Sequence, residues 1–163
     1  MSLIIRPALP TEPKLILAMV RELAEYERLS HEVDATEPMI AEALFGPSPR
    51  SFCDIADWGG EPAGFALWFL NYSSFRGRHG LYLEDLFVRP AFRRRGIARA
   101  LFAHLARRCV SSGWTRFEWA VLDWNTAAIG FYREMGAELK DEWTICRITG
   151  PALVKLAGAG GGR

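Results

Sequence analysis

Hydrophobic and polar positions follow two different periods along this chain, and the clearest change of period lies near its middle. Residues 81–88 are mostly apolar or aromatic and end just before a proline, which predicts a buried strand. Residues 97–109 instead carry apolar side chains four positions apart, which predicts a helix. A short turn dense in arginine joins them, with Gly96 at the helix entrance. The sequence therefore predicts a strand, a turn and a helix in direct succession.

This turn has the features of an anion-binding site. The first N–H groups of a helix have no partner within it, and the helix dipole makes that end partly positive. Gly96 and Ala98 leave room for a phosphate to approach those groups. Four arginines add long-range attraction: Arg93, Arg94, Arg95 and Arg99. Neither the nucleotide P-loop nor the dinucleotide fingerprint is present. We predict a site for another phosphorylated cofactor, with a solvated basic helix start as the alternative.

The N-terminal half reads as one strand, two helices and two strands. The first helix has Thr11 as its predicted N-cap, and the second begins at Thr36 and ends at Gly46 in a left-handed conformation. Gly59 to Pro62 is a hairpin signal between the two strands. The apolar stripe of the first helix is predicted to be Leu15, Met19, Leu23 and Tyr26. The predicted elements are a strand at 3–6, helices at 13–28 and 36–46, and strands at 51–58 and 63–72.

The C-terminal part is predicted to add a strand, a helix and two short late strands. These elements are expected at 116–122, from Asn125 to Gly136, at 137–140 and at 143–149. Residues 157–163 are nearly all glycine and alanine and are expected to form a flexible tail after a domain at 1–156. This order predicts a single α+β (α/β) domain, in which a mixed, mostly antiparallel sheet is flanked by helices.

Composition narrows the function classes. Half of the 163 residues are hydrophobic, and the net charge is +1, so neither a nucleic-acid nor a membrane-surface partner is indicated. The three cysteines are far apart, which disfavours both a disulfide framework and a cysteine metal site, and no metal is predicted. Because no apolar segment reaches about 18 residues and no signal pattern opens the chain, we expect a cytoplasmic protein.

Three segments together resemble the GCN5-related N-acetyltransferase (GNAT) superfamily. They are residues 82–88, the loop Arg93-x-x-Gly96-x-Ala98, and a segment from Trp124-Asn125 through Phe131-Tyr132 to Gly136-Ala137. Within that superfamily the chain is most similar to the diamine, spermidine/spermine and thialysine N-acetyltransferases, over roughly residues 3–150. The resemblance implies a GNAT-like fold and direct transfer of acetyl from acetyl-coenzyme A to a primary amine, without an acyl-enzyme.

The resemblance also implies roles for individual residues. Glu84 matches the general base, and Tyr132 matches the acid that protonates the leaving thiolate. The alternatives are an arginine-paired strand carboxylate for Glu84 and a core aromatic for Tyr132. Because successive strand residues point to opposite faces, Asp85 is expected to face away from Glu84. The implied cofactor-binding residues are Leu86, Phe87, Val88, Arg93, Arg94, Arg95, Gly96, Ile97, Ala98, Arg99, Asn125, Ala127 and Ala128.

Substrate choice depends on charged residues near the acceptor. The candidate substrate-binding residues are Tyr26, Glu27, Glu84 and Asp85. The loop at 72–78 carries Arg76 and Arg78 where the polyamine enzymes have an aspartate, which favours an amino-acid amine whose carboxylate meets an arginine. A peptide or protein N-terminal acetyltransferase and a non-catalytic coenzyme A-binding module are the alternatives. The resemblance also implies a homodimer.

Overall fold

The computed structural model describes residues 1–159, which form five strands and five α-helices. Residues 1–120 and the residues from Val121 onward make two compact units. The strands are β1 (Leu3–Pro7), β2 (Ser51–Trp58), β3 (Glu61–Ser73), β4 (Arg78–Val88) and β5 (Phe117–Trp119). The helices are α1 (Pro13–Tyr26), α2 (Glu37–Phe45), α3 (Ile97–Ser112), α4 (Thr126–Glu134) and α5 (Gly150–Gly158).

The first unit is built on one mixed sheet with the strand order β1-β2-β3-β4-β5. The first four strands pair antiparallel with their neighbours, and β5 pairs parallel to β4. This arrangement confirms the predicted α+β fold with a mixed, mostly antiparallel sheet. The long strands β3 and β4 form a hairpin. Residues 89–96 join the end of β4 to α3, which places the predicted anion loop at that end of the sheet.

Both faces of the sheet are covered by helices. On one face, α1 and α2 pack on a core built from Ile16, Leu17, Met19, Leu23, Ile40, Leu44, Cys53, Ile55, Phe65 and Phe87. The opposite face is reached by α3, whose His104 and Arg108 lie close to Asp54 of β2. The buried side chains of α3 are Ile97, Leu101, Phe102, Leu105 and Cys109. Alternate residues of each strand therefore serve two different helical layers.

Several local predictions about the first unit are corrected. The N-cap of α1 is Glu12, not Thr11, and its carboxylate accepts hydrogen bonds from Arg6 and the Leu9 N–H. Gly46 is extended and not left-handed, with φ of −66° and ψ of −179°, and a Cβ there would lie 2.5 Å from the carbonyl oxygen of Glu42, so a side chain would clash. The buried stripe of α1 is Ile16, Leu17, Met19, Leu23 and Ala24, and Tyr26 is 42% exposed.

The second unit differs from the prediction after α4. No strand occurs in the described part of the chain beyond β5, so the late strands expected at 137–140 and 143–149 are wrong. The helix α5 was not predicted from the sequence. Of the expected flexible tail, residues 160–163 lie outside the described residues. Every helix within residues 1–159 is too short or too polar to cross a bilayer.

Candidate active site

The loop between β4 and α3 has the backbone geometry of an anion site. Arg94 and Gly96 both have left-handed backbones, with φ of 62° and 76°. Gly96 is also the N-cap of α3, no side chain caps this end, and the first turn carries no acidic residue. The first intrahelical hydrogen bond runs from the Ala100 N–H to the Gly96 carbonyl, so the earlier N–H groups have no acceptor within the helix. An anion such as a pyrophosphate fits this end.

Beside this loop, the last part of β4 has, within the described chain, a neighbouring strand on one edge only. Parallel β5 pairs only with Leu81, Tyr82 and Leu83 among the described residues. The continuation of β4 from Glu84 to Val88 is bonded to β3 on its other edge. On its outer edge, this part of β4 therefore has no strand partner within residues 1–159. An extended ligand with amide groups, such as the pantetheine arm of coenzyme A, fits alongside such an edge.

A β-bulge places the two central acids of β4. Trp68 pairs with Leu83 and Leu67 pairs with Asp85, so Glu84 is the extra residue on β4. Before the bulge, Leu83 shares its face with Trp68, on the α3 side. After it, Asp85 and Phe87 share the α1 and α2 face with Leu67. Leu83 and Asp85, which simple alternation would put on one face, therefore lie on opposite faces, because the bulge resets which face each later residue occupies.

Three carboxylates gather where the bulge meets the end of α1. Glu84 is exposed, and both Asp85 and Glu27 are half-buried. Burial, with the negative charges of Glu84 and Glu27, raises the pKa of Asp85 to about 6. Burial also raises the pKa of Glu27, which lies at the C-cap of α1. The site therefore holds a concentration of negative charge, and a cation that enters it is attracted by all three groups.

The arginines of the loop point to two faces of the sheet. The guanidinium carbon of Arg93 lies 5.0 Å from the ring centre of Tyr26 and 5.7 Å from that of Phe87, on the α1 side. The guanidinium of Arg95 lies 5.3 Å from the ring centre of Trp58, on the face of β2 that also carries Asp54. The loop therefore crosses the end of the sheet, with the Arg93 side chain on the α1 face and the Arg95 side chain on the face that carries Asp54.

The two arginines of the β3–β4 hairpin lie far from the acids of β4. Arg78 is the first residue of β4, six residues before Glu84, which is about 20 Å along an extended strand. Arg76 is in the turn beyond it. Within one chain, these side chains do not reach the carboxylate of a small amino acid whose amine lies at Glu84.

In the second unit, α4 carries the remaining predicted residues. The Asn125 side chain caps α4 by accepting a hydrogen bond from the Ala128 N–H at 3.3 Å, which confirms the predicted cap. Ala127 is exposed and Ala128 is half-buried in the first turn. Tyr132 is half-buried, and its ring centre lies 5.7 Å from that of Phe131. The helix ends before Gly136, as the sequence predicted.

A buried charged cluster around Asp54 was not predicted from the sequence. Asp54 of β2 is only 2% exposed and accepts a hydrogen bond from the Trp68 indole at 2.8 Å. Nitrogens of His104 and Arg108 each lie 3.6 Å from its other oxygen. The signal was an aspartate inside an otherwise apolar stretch, Cys53 to Ala56, where a buried charge requires partners. This cluster joins β2, β3 and α3.

Comparison with known proteins agrees with this geometry. Residues 16–137 match the acetyltransferase (GNAT) family. The chain is 37% identical to the thialysine N-epsilon-acetyltransferase of Sus scrofa over 96% of this chain and 98% of that protein. It is 34% identical to the L-ornithine N5-acetyltransferase of Arabidopsis thaliana over 91% of this chain and 85% of that protein. An integron cassette protein from the mobile metagenome of V. cholerae superposes with a TM-score of 0.80 at 27% identity, over 96% and 98% of the two chains.

These matches cover most of the chain at identities that establish common descent. The uncapped helix start and the left-handed loop suit a pyrophosphate, and the unpaired strand edge suits a pantetheine arm, so this geometry is compatible with the coenzyme that the family uses. The chain therefore belongs to the acetyltransferase (GNAT) family, and it is an enzyme that uses acetyl-coenzyme A to acetylate amines.

Proposed function

We propose that the enzyme acetylates the side-chain amine of a small amino acid of the ornithine or thialysine type, or of a diamine, by direct attack in a ternary complex. The observation that carries this proposal is the group of carboxylates at the β4 bulge, Glu84, Asp85 and Glu27, next to the anion loop. The carboxylates attract a substrate ammonium, and the anion loop attracts the coenzyme phosphates. The names of the two relatives above support an amino-acid amine.

Glu84 is the proposed general base. An alkyl ammonium has a pKa of about 10.4, so deprotonating it at pH 7 costs about 4–5 kcal/mol unless a base receives the proton. Glu84 is exposed at the bulge, where a substrate or a bridging water can reach it. The amine nitrogen then bonds to the thioester carbonyl carbon, and the bond from that carbon to sulfur breaks. The first ammonium proton ends on Glu84 or on water, and the second proton, which the nitrogen loses as the amide forms, replaces the one that the acid gives to the sulfur.

Tyr132 is the proposed general acid. The leaving thiolate of coenzyme A needs a proton, and a phenol is suited to donating one. Tyr132 lies in α4, in the segment from Trp124 to Ala137 that resembles the superfamily, and it is half-buried. The positions of Phe131 and Asn125 in the same helix support the correspondence.

The chain's own backbone is the proposed holder of the coenzyme. We assign the pyrophosphate to the N–H groups of the loop, from Arg94 to Arg99, with Arg93 opening the motif. The outer edge of β4 at Leu86, Phe87 and Val88 is the proposed partner of the pantetheine amides, and one of its N–H groups can polarise the thioester carbonyl. Asn125, Ala127 and Ala128 at the start of α4 provide a second proposed contact.

A homodimer is the proposed assembly. In the described part of the second unit, Trp143 is 77% exposed and Ile145 is 75% exposed, and α5 exposes Val154 to a similar degree. Large apolar side chains exposed together mark interaction surfaces in soluble proteins. Light scattering on the full chain is expected to give twice the chain mass. Trp143→Glu should shift that value toward one chain, and a monomeric wild-type protein would contradict the assembly.

The function is tested by thiol release with a panel of amines. The panel contains thialysine, ornithine, lysine, diamines, spermidine and short peptides. We expect the highest kcat/KM with the amino-acid side-chain amines, and Tyr132→Phe should lower kcat by at least about a hundredfold. Tyr72→Phe is the matched control, because Tyr72 is exposed on β3 of the hairpin. Preference for peptides, or unchanged turnover in Tyr132→Phe, would contradict the proposal.

A further inference from the structure

The arginine that follows β4, Arg89, joins the start of the anion loop to α1. Its guanidinium contacts both carboxylate oxygens of Glu22 in α1, where Nε donates to one at 3.0 Å and Nη2 donates to the other at 2.8 Å. Nη1 donates to the Pro62 carbonyl oxygen at 3.1 Å, and the Arg89 backbone N–H donates to the Ala63 carbonyl oxygen at 2.9 Å. Arg89 therefore connects the first residue after β4 to both α1 and the start of β3.

The contact between Arg89 and Glu22 has the geometry of a directional ion pair. A guanidinium that meets both oxygens of one carboxylate forms two parallel charge-assisted hydrogen bonds, which fix orientation as well as distance. The Arg89 side chain is 26% exposed and the Glu22 side chain is 37% exposed, so water weakens the pair. The pair therefore restrains where the loop begins, while its contribution to the stability of the whole fold is modest.

A short turn connects Arg89 to the anion site. The turn at residues 90–92 is closed by the Phe92 N–H, which donates to the Arg89 carbonyl oxygen at 2.9 Å. Arg94 and Gly96 follow, and their left-handed backbones shape the predicted phosphate site. Because only this turn separates Arg89 from those two residues, a shift of Arg89 also shifts the N–H groups of the loop.

A second contact joins the same loop to the next turn of α1. The guanidinium carbon of Arg93 lies 5.0 Å from the ring centre of Tyr26. Glu22 and Tyr26 are four residues apart in α1, so they lie one above the other on the same side of the helix. Arg89 and Arg93 are also four residues apart. Two arginines of the loop thus contact successive turns of α1, and α1 is held on the sheet by its own buried side chains.

We propose that Arg89 and Glu22 are positioning residues for the coenzyme: they hold the start of the anion loop on α1, so that the loop N–H groups are aligned before acetyl-coenzyme A binds. This inference rests on the proposed function, which assigns the pyrophosphate to that loop. Both residues lie outside the pattern Arg93-x-x-Gly96-x-Ala98. Aligned donors lose less conformational entropy when a ligand binds, so loss of the pair weakens coenzyme binding and leaves the chemical step unchanged.

Kinetics of single substitutions test the inference. Arg89→Gln and Glu22→Gln are each expected to raise the KM for acetyl-coenzyme A by about three- to tenfold. The kcat, and the KM for the amine at saturating coenzyme, should change by less than about twofold. Arg89→Lys, which keeps the charge but loses the two-point contact, should have an intermediate effect. In the double variant the KM should rise no further than in either single variant, because the two residues act as one pair.

Glu12→Gln is the matched control. Glu12 accepts two hydrogen bonds from Arg6, at 3.0 and 2.8 Å, at the N-terminal end of α1. This change should lower the free energy of unfolding in urea at least as much as Glu22→Gln, with an unchanged KM for acetyl-coenzyme A. An equal rise of that KM in Glu12→Gln would show that the effect follows stability, and it would overturn the inference. Additive effects of the Arg89 and Glu22 changes would overturn it as well.

Equilibrium binding separates this inference from the proposed coenzyme site. Calorimetry on the full chain measures the Kd for coenzyme A without turnover. Gly96→Ala puts a Cβ on the left-handed residue at the helix start and should raise that Kd by about fivefold or more. If Gly96→Ala leaves the Kd unchanged, the proposed site fails and the positioning role fails with it. If Gly96→Ala raises the Kd but Arg89→Gln and Glu22→Gln do not, the site stands and the positioning role alone is overturned.

Discussion

Two aspartates on the same sheet, Asp54 and Asp85, have opposite surroundings. Asp54 is buried on the α3 face with the Trp68 indole, His104 and Arg108 around it. Asp85 is half-buried on the α1 face, and the charged groups that shift its pKa are Glu84 and Glu27. A carboxylate with partners from two other elements, here β3 and α3, stabilises the fold. A carboxylate surrounded by acids lowers stability, and a fold keeps such a group where a cationic ligand compensates it.

The largest effect expected from this comparison is the loss of Asp54. Asp54→Ala should lower the free energy of unfolding by about 3 kcal/mol, because the Trp68 N–H loses its acceptor and two cationic groups lose their carboxylate. Urea unfolding measures the change. Glu61→Ala, an exposed acid on β3, is the control and should change stability by less than about 0.5 kcal/mol. If Asp54→Ala also lowers the free energy of unfolding by less than about 0.5 kcal/mol, Asp54 does not stabilise the fold.

Asp85→Asn should act in the opposite direction. The pKa of Asp85 is raised to about 6, so its ionised form is penalised in the folded state, and the protein loses stability as pH rises from about 4 to above 6. Removing the charge should therefore raise the free energy of unfolding by about 2 kcal/mol at pH 8 and have almost no effect at pH 4.

Urea unfolding of Asp85→Asn at both pH values tests the sign as well as the size. The same variant should have a lower kcat/KM for amines, since the site loses a negative charge. Destabilisation at pH 8 would show that Asp85 has a stabilising partner in the folded protein, and the contrast with Asp54 would then fail.

The smallest effect is expected at the rim of the Asp54 cluster. Arg108→Leu should cost about 1 kcal/mol, because this side chain is partly exposed and loses both its ion pair and its stacking 5.1 Å from the Trp68 ring centre. A double-mutant cycle with Asp54→Ala measures the coupling between the two residues. If the two changes are additive, Arg108 contributes through stacking alone.

Local sequence rules predicted most of the first unit because its signals are local. The hairpin residues between β2 and β3, the Thr36 cap of α2 and the apolar spacing of α3 each act over a few residues. The late strands were predicted wrongly because a strand needs a neighbour to bond with, and an apolar stretch such as 143–149 does not itself specify one. A high strand propensity does not produce a strand unless a neighbouring strand is available to pair with it.

The candidate site was predicted residue by residue, but its geometry was not. The acids of β4, the loop glycine and the Asn125 cap were all found from short patterns. The bulge at Glu84 was not, since one extra residue in a strand pair depends on how β3 and β4 align over their whole length. The same is true of Asp54, whose partners come from the neighbouring strand β3 and from α3, about 50 residues later in the chain.

The sequence alone determined which residues can hold an anion and which can attract an amine, because charge, glycine and helix start signals are properties of short segments. Only the tertiary structure decided which face each group serves. In the folded protein, Arg93 lies beside Tyr26 and Asp85 lies on the α1 face. The direction of a side chain in a sheet depends on strand register and on packing between distant elements, which short segments do not specify.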